Sequence, residues 1–171
     1  MGTRDQEGGV HAGSVSKRTS ERGSERELDL SAMHHLAGFL IAMANLQARQ
    51  VFQTHIGTPF ELKAVEFTLL VLLQAHHGAA PKQLAQALNS PAPKLTVLVD
   101  RLVARGLVER RRSLTDGRAL HVLLTAKGQE LAQQAHAISL TMEDGMMQVL
   151  SPGERVMLRE LLLKLRGVAV V

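Results

Sequence analysis

From Leu30 onward the apolar residues recur at helical spacing, broken by one short stretch in which they alternate. In "LSAMHHLAGFLIAMANLQARQVFQTHI", Met33, Leu36, Leu40 and Met43 form one apolar set, and Phe39, Leu46 and Val51 form a second. The segment reads as a helix, N-capped by Ser31 and greasy on more than one face. Such a helix needs cover on several sides, more than one small domain supplies. Gly57 and Pro59 end it. "ELKAVEFTLLVLLQAHH" then predicts a nearly all-round apolar helix, central in the core and closed by Gly78. "PKQLAQAL" predicts a short helix opened by Pro81, whose missing N–H had no partner in the first turn. Asn89 and Ser90 turn the chain into "PAPKLTVLVDRLVARG", a helix with Pro91 and Pro93 in its first turn and Gly106 as its stop.

The alternating stretch is "LVERRR" and "ALHVLL". Leu120, Val122 and Leu124 alternate there with Ala119, His121 and Leu123, which predicts two short strands around an Asp-Gly turn. "TAKGQELAQQAHAISLTMEDGMMQVL" resumes helix, with Leu131, Ala135, Ile138, Met142 and Val149 close to a heptad seam. Ser151-Pro152-Gly153-Glu154 reads as a capping box opening a last helix with Met157, Leu158, Leu161, Leu162 and Leu165. The order predicts a mainly α fold with a small β-hairpin wing: a winged helix-turn-helix core flanked by N- and C-terminal helices.

Composition and hydropathy sharpen this. Residues 1–29 are rich in Gly, Ser, Arg and Glu with almost nothing apolar, so they read as a disordered tail, and 30–171 as the folded domain. The absence of cysteine excludes disulfides, thiol nucleophiles and thiolate zinc sites. With no Trp or Tyr and four Phe, stacking platforms for single-stranded nucleic acid are also missing. No run approaches a membrane span and no apolar signal core opens the chain, so the expected location is the cytoplasm.

The net charge of +4 is unevenly spread. Residues 81–128 carry nine basic and three acidic side chains, a net of +6. That suits a surface meeting a polyanion as well as it suits a solvated cationic face. The helix "KLTVLVDRLVAR" separates the two. On a wheel of about 100° per residue, Leu95, Leu98, Val99, Leu102 and Val103 fill one arc, and Lys94, Thr96, Val97, Asp100, Arg101, Ala104 and Arg105 the other. Such a helix can lie in a major groove, with its first residues at base edges and Arg101 or Arg105 at phosphates. The hairpin would then run beside it as a wing. Asp116 and Gly117 permit the turn, Arg118 occupies its tip toward the minor groove, and Arg110, Arg111 and Arg112 stand near flanking phosphates. Strand alternation sends only some of those three toward DNA without saying which; Arg110 and Arg112 serve as the candidates.

"LNSPAPKLTVLVDRLVARGLVERRRSLTDGRALHVLLTAKG", residues 88–128, closely resembles the winged-helix core of the MarR family of bacterial transcription regulators. The resemblance is carried by "DRL", "GLVER", "DGR" and "LTAKG" at long, ungapped spacing. It implies an obligate homodimer, with residues 30–60 and 126–171 as dimerisation helices and 61–125 as the DNA-binding lobe. It implies a probe segment Ser90–Val97, including Ala92, set in the major groove of a pseudo-palindromic double-stranded operator, and a nucleoid-associated repressor. Family members often carry a polar or basic residue where this chain has Val97, so hydrogen-bond readout is expected to be weaker here and more of the specificity to come from DNA shape. Release by a small aromatic or phenolic acid is also implied, with Met43, Arg49, Phe52 and Phe67 as candidate lining; Arg49 either pairs a carboxylate or is an ordinary surface arginine. His34-His35 and His76-His77 are adjacent pairs, a poor chelating geometry, so no metal or other cofactor is expected. A zinc-responsive regulator is the alternative if histidines from different helices converge. No phosphate loop, nucleophile elbow or His-Glu metalloprotease spacing occurs, so no enzyme is expected.

Overall fold

Burial begins only after the first helix. The structure, a computed structural model, describes residues 28–112 and 120–167. Helix α1 (Ala37–Phe52) runs into a π-helical turn (Gln53–Gly57), and α2 (Ala64–His76), α3 (Pro81–Ala87) and α4 (Ala92–Ala104) follow. Strands β1 (Val108–Arg112) and β2 (Leu120–Leu124) pair antiparallel, and α5 (Ala126–Ser139), α6 (Asp144–Met147) and α7 (Pro152–Leu165) complete the chain. The core is built by Leu69, Leu70 and Leu73 of α2, Leu84 of α3, Leu95, Leu98, Val99 and Leu102 of α4, and Val108 and Val122 of the hairpin. Each such leucine contributes on the order of 1.5–3 kcal/mol by leaving water. The fold is a winged helix-turn-helix, mostly helical with one two-stranded hairpin.

Several residues hold the lobe's corners. At Gly106, φ is +70°, the left-handed conformation that glycine adopts without strain, and it stops α4. Thr125 caps α5, its hydroxyl accepting from the Gly128 N–H at 3.0 Å and donating to the Gly106 carbonyl at 2.7 Å. A Cβ on Gly128 would lie 1.8 Å from the Leu107 carbonyl oxygen, so only glycine lets α5 start this close to β1. Lys127 Nζ donates to the Arg105 carbonyl at 3.1 Å, at the C-terminal end of α4. "LTAKG" is therefore a joint between α4, the hairpin and α5.

Three expectations need correction. Ser31 does not cap the first long helix. Its hydroxyl donates to Asp29 Oδ2 at 2.8 Å, and Ser31–Met33 forms a separate 3₁₀ turn before α1 starts at Ala37. The long helix expected from Thr125 to Leu150 breaks after Ser139. There the backbone tightens to i→i−3 bonds (Leu140 to Ala137, Thr141 to Ile138), and only the short α6 follows. The apolar spacing on α5 also does not face outward as a seam. Ala135 is buried, and Leu131, Ile138 and Met142 pack against this chain's own core, with α5 lying along α2. Val149, the last member of that spacing, is exposed.

Helices α1 and α7 contain no buried residue. Leu36, Leu40, Ile41, Met43 and Leu46 at one end of the chain, and Val156, Met157, Leu161, Leu162 and Leu165 at the other, are exposed. Among the described residues no helix is long and apolar enough to cross a membrane.

Candidate nucleic-acid interface

Helices α3 and α4 form the helix-turn-helix. Pro81 sits at the first position of α3, and Asn89, with φ +45°, makes the turn before α4. In α4, Pro91 is the N-cap and Pro93 lies in the first turn. Leu95, Leu98, Val99 and Leu102 bury one face, which leaves Ala92, Lys94, Thr96, Val97, Asp100 and Arg101 exposed on the other, with Ser90 half-buried at the turn.

The cations of this surface fall into two groups. Arg101 donates from Nη1 to Glu66 Oε1 at 3.0 Å, and Glu66 is only 2% exposed against 44% for Arg101. Glu66 Oε2 also accepts from the Lys63 N–H at 2.8 Å. A carboxylate that deep in an apolar core requires such partners, so Arg101 pins α4 to α2. Arg105 does similar work, donating to the carbonyls of Glu61 at 2.8 Å and Phe60 at 3.0 Å. The sequence expectation sets Arg101 or Arg105 at phosphates; here each is committed to a partner within the chain. The signal for Glu66 lies in the sequence: it is the lone charge inside "AVEFTLLVLL", and a charge there needs a partner.

The hairpin's register sorts the three arginines. Val108 pairs with Leu124, Arg110 with Val122 and Arg112 with Leu120, so these six share the face that includes buried Val108 and Val122. Glu109, Arg111, His121 and Leu123 share the other face. Arg110 reaches Asp100 of α4 at 2.7 Å, tying the hairpin to α4, while Arg111 pairs with its neighbour Glu109. Arg112 and Lys94 are exposed. Asp116, Gly117 and Arg118 at the wing tip lie outside the described residues, as do residues 1–27 of the expected tail.

The four residues expected to line an effector site converge only in part. The Phe52 and Phe67 rings meet at a centroid distance of 5.8 Å and an angle of 56°, joining the end of α1 to α2. Arg49 is exposed one turn earlier. Met43 lies nine residues before Phe52, which places it about 180° around α1, on the opposite side. His34, His35, His76 and His77 are all exposed, and among the described residues no three His, Asp or Glu side chains are grouped so as to hold a metal ion.

Comparison with known proteins bears on this arrangement. The profile of the MarR family matches residues 60–119, the lobe just described. The multiple antibiotic resistance protein MarR of Escherichia coli (strain K12) is 30% identical over 101 residues, 59% of this chain and 69% of that protein. Among solved structures, the transcriptional repressor CouR bound to a 23-mer DNA duplex superposes with a TM-score of 0.74 at 29% identity, covering 82% of this chain and 99% of that one. A mutant MarR from E. coli complexed with operator DNA gives a TM-score of 0.70 at 27% identity, with 81% and 99% covered.

Proposed function

The chain belongs to the MarR family, and from that premise we propose that it is a sequence-specific double-stranded DNA-binding transcriptional repressor, acting as a homodimer on a pseudo-palindromic operator. The observation that carries this reading is the joint geometry of α4 and the hairpin. The exposed face of α4 and the Arg110–Arg112 face of the wing are locked to each other through Asp100 and Arg110, on a fold shared with DNA-bound relatives.

In this reading α4 enters the major groove with Ser90, Ala92, Lys94, Thr96 and Val97 foremost, and the wing carries Arg118 to the adjacent minor groove. Lys94 and Arg112 neutralise phosphates. Arg101, Arg105 and Arg110 set the attitude of helix and wing. A second copy covers the apolar faces of α1 and α7, which places two lobes about one helical turn, roughly 34 Å, apart on the duplex. A regulatory rather than a catalytic role is supported by the similarity to CouR, a transcriptional repressor.

Release would follow from a small aromatic or phenolic acid wedged where α1 meets α2. The Phe52–Phe67 contact supports that position, because a planar ring inserted there changes the angle between the terminal arm and the lobe. Arg49 is the candidate partner for its carboxylate, and Met43 can contribute only from another part of a dimer.

The test is binding of the purified full chain to duplexes from its own upstream region over a range of salt. Retention of a defined fragment is expected, with a log–log slope of about −0.9 per phosphate neutralised. Binding that ignores salt, or that favours no sequence, would contradict the reading. A panel of aromatic acids read by thermal shift should contain one that both stabilises the protein and weakens the complex.

A further inference from the structure

The outward face of α4 offers a base edge very little that can hydrogen-bond. The buried residues fix the inward direction of the helix. At about 100° per residue, Pro93, Val97, Asp100 and Ala104 then lie within roughly 30° of the opposite direction, with Lys94, Thr96 and Arg101 about 70–90° to either side. The Asp100 carboxylate is held by Arg110 and the Arg101 guanidinium by Glu66. The Thr96 hydroxyl donates back to the Ala92 carbonyl at 3.0 Å, so its proton is engaged within the helix. Residues Ala92–Ala104 include no Asn, Gln or Ser, and no arginine before Arg101. The bidentate pairings that read adenine by an amide or guanine by a guanidinium are therefore missing from the first two turns. Lys94, at the flank of the face, suits a phosphate. Of the apolar residues near the centre, Pro93 and Ala104 lie at the two ends of the helix, and between them stands Val97, 59% exposed.

In the major groove the apolar feature that distinguishes one base pair from another is the C5-methyl group of thymine. We propose that Val97 is the specificity-determining residue of α4, and that it reads a thymine at one fixed position of each half-site by packing its isopropyl group on that methyl. A single exposed valine on an ordinary surface needs no explanation. This one is singled out by its place among polar neighbours already engaged elsewhere. The inference rests on the DNA-binding reading above and adds the chemistry of its readout.

Duplexes that the full-length protein selects from a random-sequence pool supply the probe. Each thymine of the selected half-site is replaced in turn by uracil, which removes the methyl and keeps the base pair. Loss of one methyl contact corresponds to roughly fourfold weaker binding, and its loss from both half-sites to about sixteenfold. The expected result is one thymine position with this loss. Val97→Ala, at an exposed site and to the best helix former, keeps the fold. It should bind the thymine duplex several-fold more weakly and lose most of the discrimination between thymine and uracil at that position. Undiminished discrimination in Val97→Ala, or selected duplexes indifferent to uracil with the wild-type protein, would overturn the proposal. Failure to select any duplex would instead overturn the DNA-binding reading beneath it.

Discussion

Helices α4 and α7 are close in length and both carry leucines at helical spacing, yet their own chain treats them differently. In α4, Leu95, Leu98, Val99 and Leu102 are buried by α3 and the hairpin. In α7, Met157, Leu161, Leu162 and Leu165 remain exposed, and α1 repeats the pattern. An apolar stripe states that a face must be covered; it does not state by what. The lobe from α2 to α5 finds its cover within one chain, whereas the two ends present the faces that a second copy would close. The division also separates tasks. In the proposed dimer, the self-sufficient part would hold the DNA-facing surface and the unfinished part would set the distance between two such surfaces.

The contrast can be broken most sharply at the ends. Leu161→Glu places a charge in the apolar face of α7 and should weaken self-association by more than about 3 kcal/mol, leaving the lobe folded. Sedimentation and far-UV circular dichroism together check both halves, and loss of helical signal alongside the dimer would blur the division. Within the lobe, Gly128→Ala drives a methyl into the Leu107 carbonyl and should cost about 2–3 kcal/mol of stability in denaturant unfolding.

Arg101→Ala removes the partner of a buried carboxylate. Its guanidinium is partly solvated, which reduces the loss to about 2 kcal/mol. Lys94→Ala should do the reverse: no change in unfolding midpoint, but a salt slope of DNA binding lower by about 1. A fall in stability for Lys94→Ala with no change in slope would exchange the roles given to the two cations. Arg118→Ala should cost roughly 1–3 kcal/mol of operator binding with dimerisation intact.

The smallest effect concerns α7's start. The Ser151 hydroxyl at 2.7 Å and backbone N–H at 2.8 Å donate to Glu154 Oε2, and these bonds hold the Glu154 carboxyl below its ordinary pKa. A lowered folded pKa means the contribution is present above the unfolded carboxylate range and fades as pH falls through the folded value. In Glu154→Gln that part of the acid dependence should vanish from a pH series of melting temperatures.

Local chemistry made much of this molecule legible in advance. The proline-opened helices, the Gly106 stop, the alternating hairpin and the Ser151–Glu154 box depend on neighbours a few residues apart, and each stands where its residues imply. What escaped was settled across the chain. Arg101 and Glu66 are 35 residues apart, so the wheel placed Arg101 on a polar face without revealing its partner. The spacing on α5 resembled a seam between copies because α2 and a second chain demand the same pattern. Ser31 had the right chemistry for a cap, but Asp29 engaged its hydroxyl first. The sequence leaves open which of the three wing arginines point toward DNA; the register sets Arg110 and Arg112 on one face and Arg111 on the other, and pairing with Asp100 distinguishes Arg110 from Arg112.

In the proposed assembly, two copies joined through their ends present paired lobes to one duplex. Sedimentation equilibrium of the full chain, free and with a selected duplex, addresses it directly. The expected result is a free species of twice the 18.6 kDa chain mass and two chains on each duplex. A single chain bound per duplex at full affinity would contradict it.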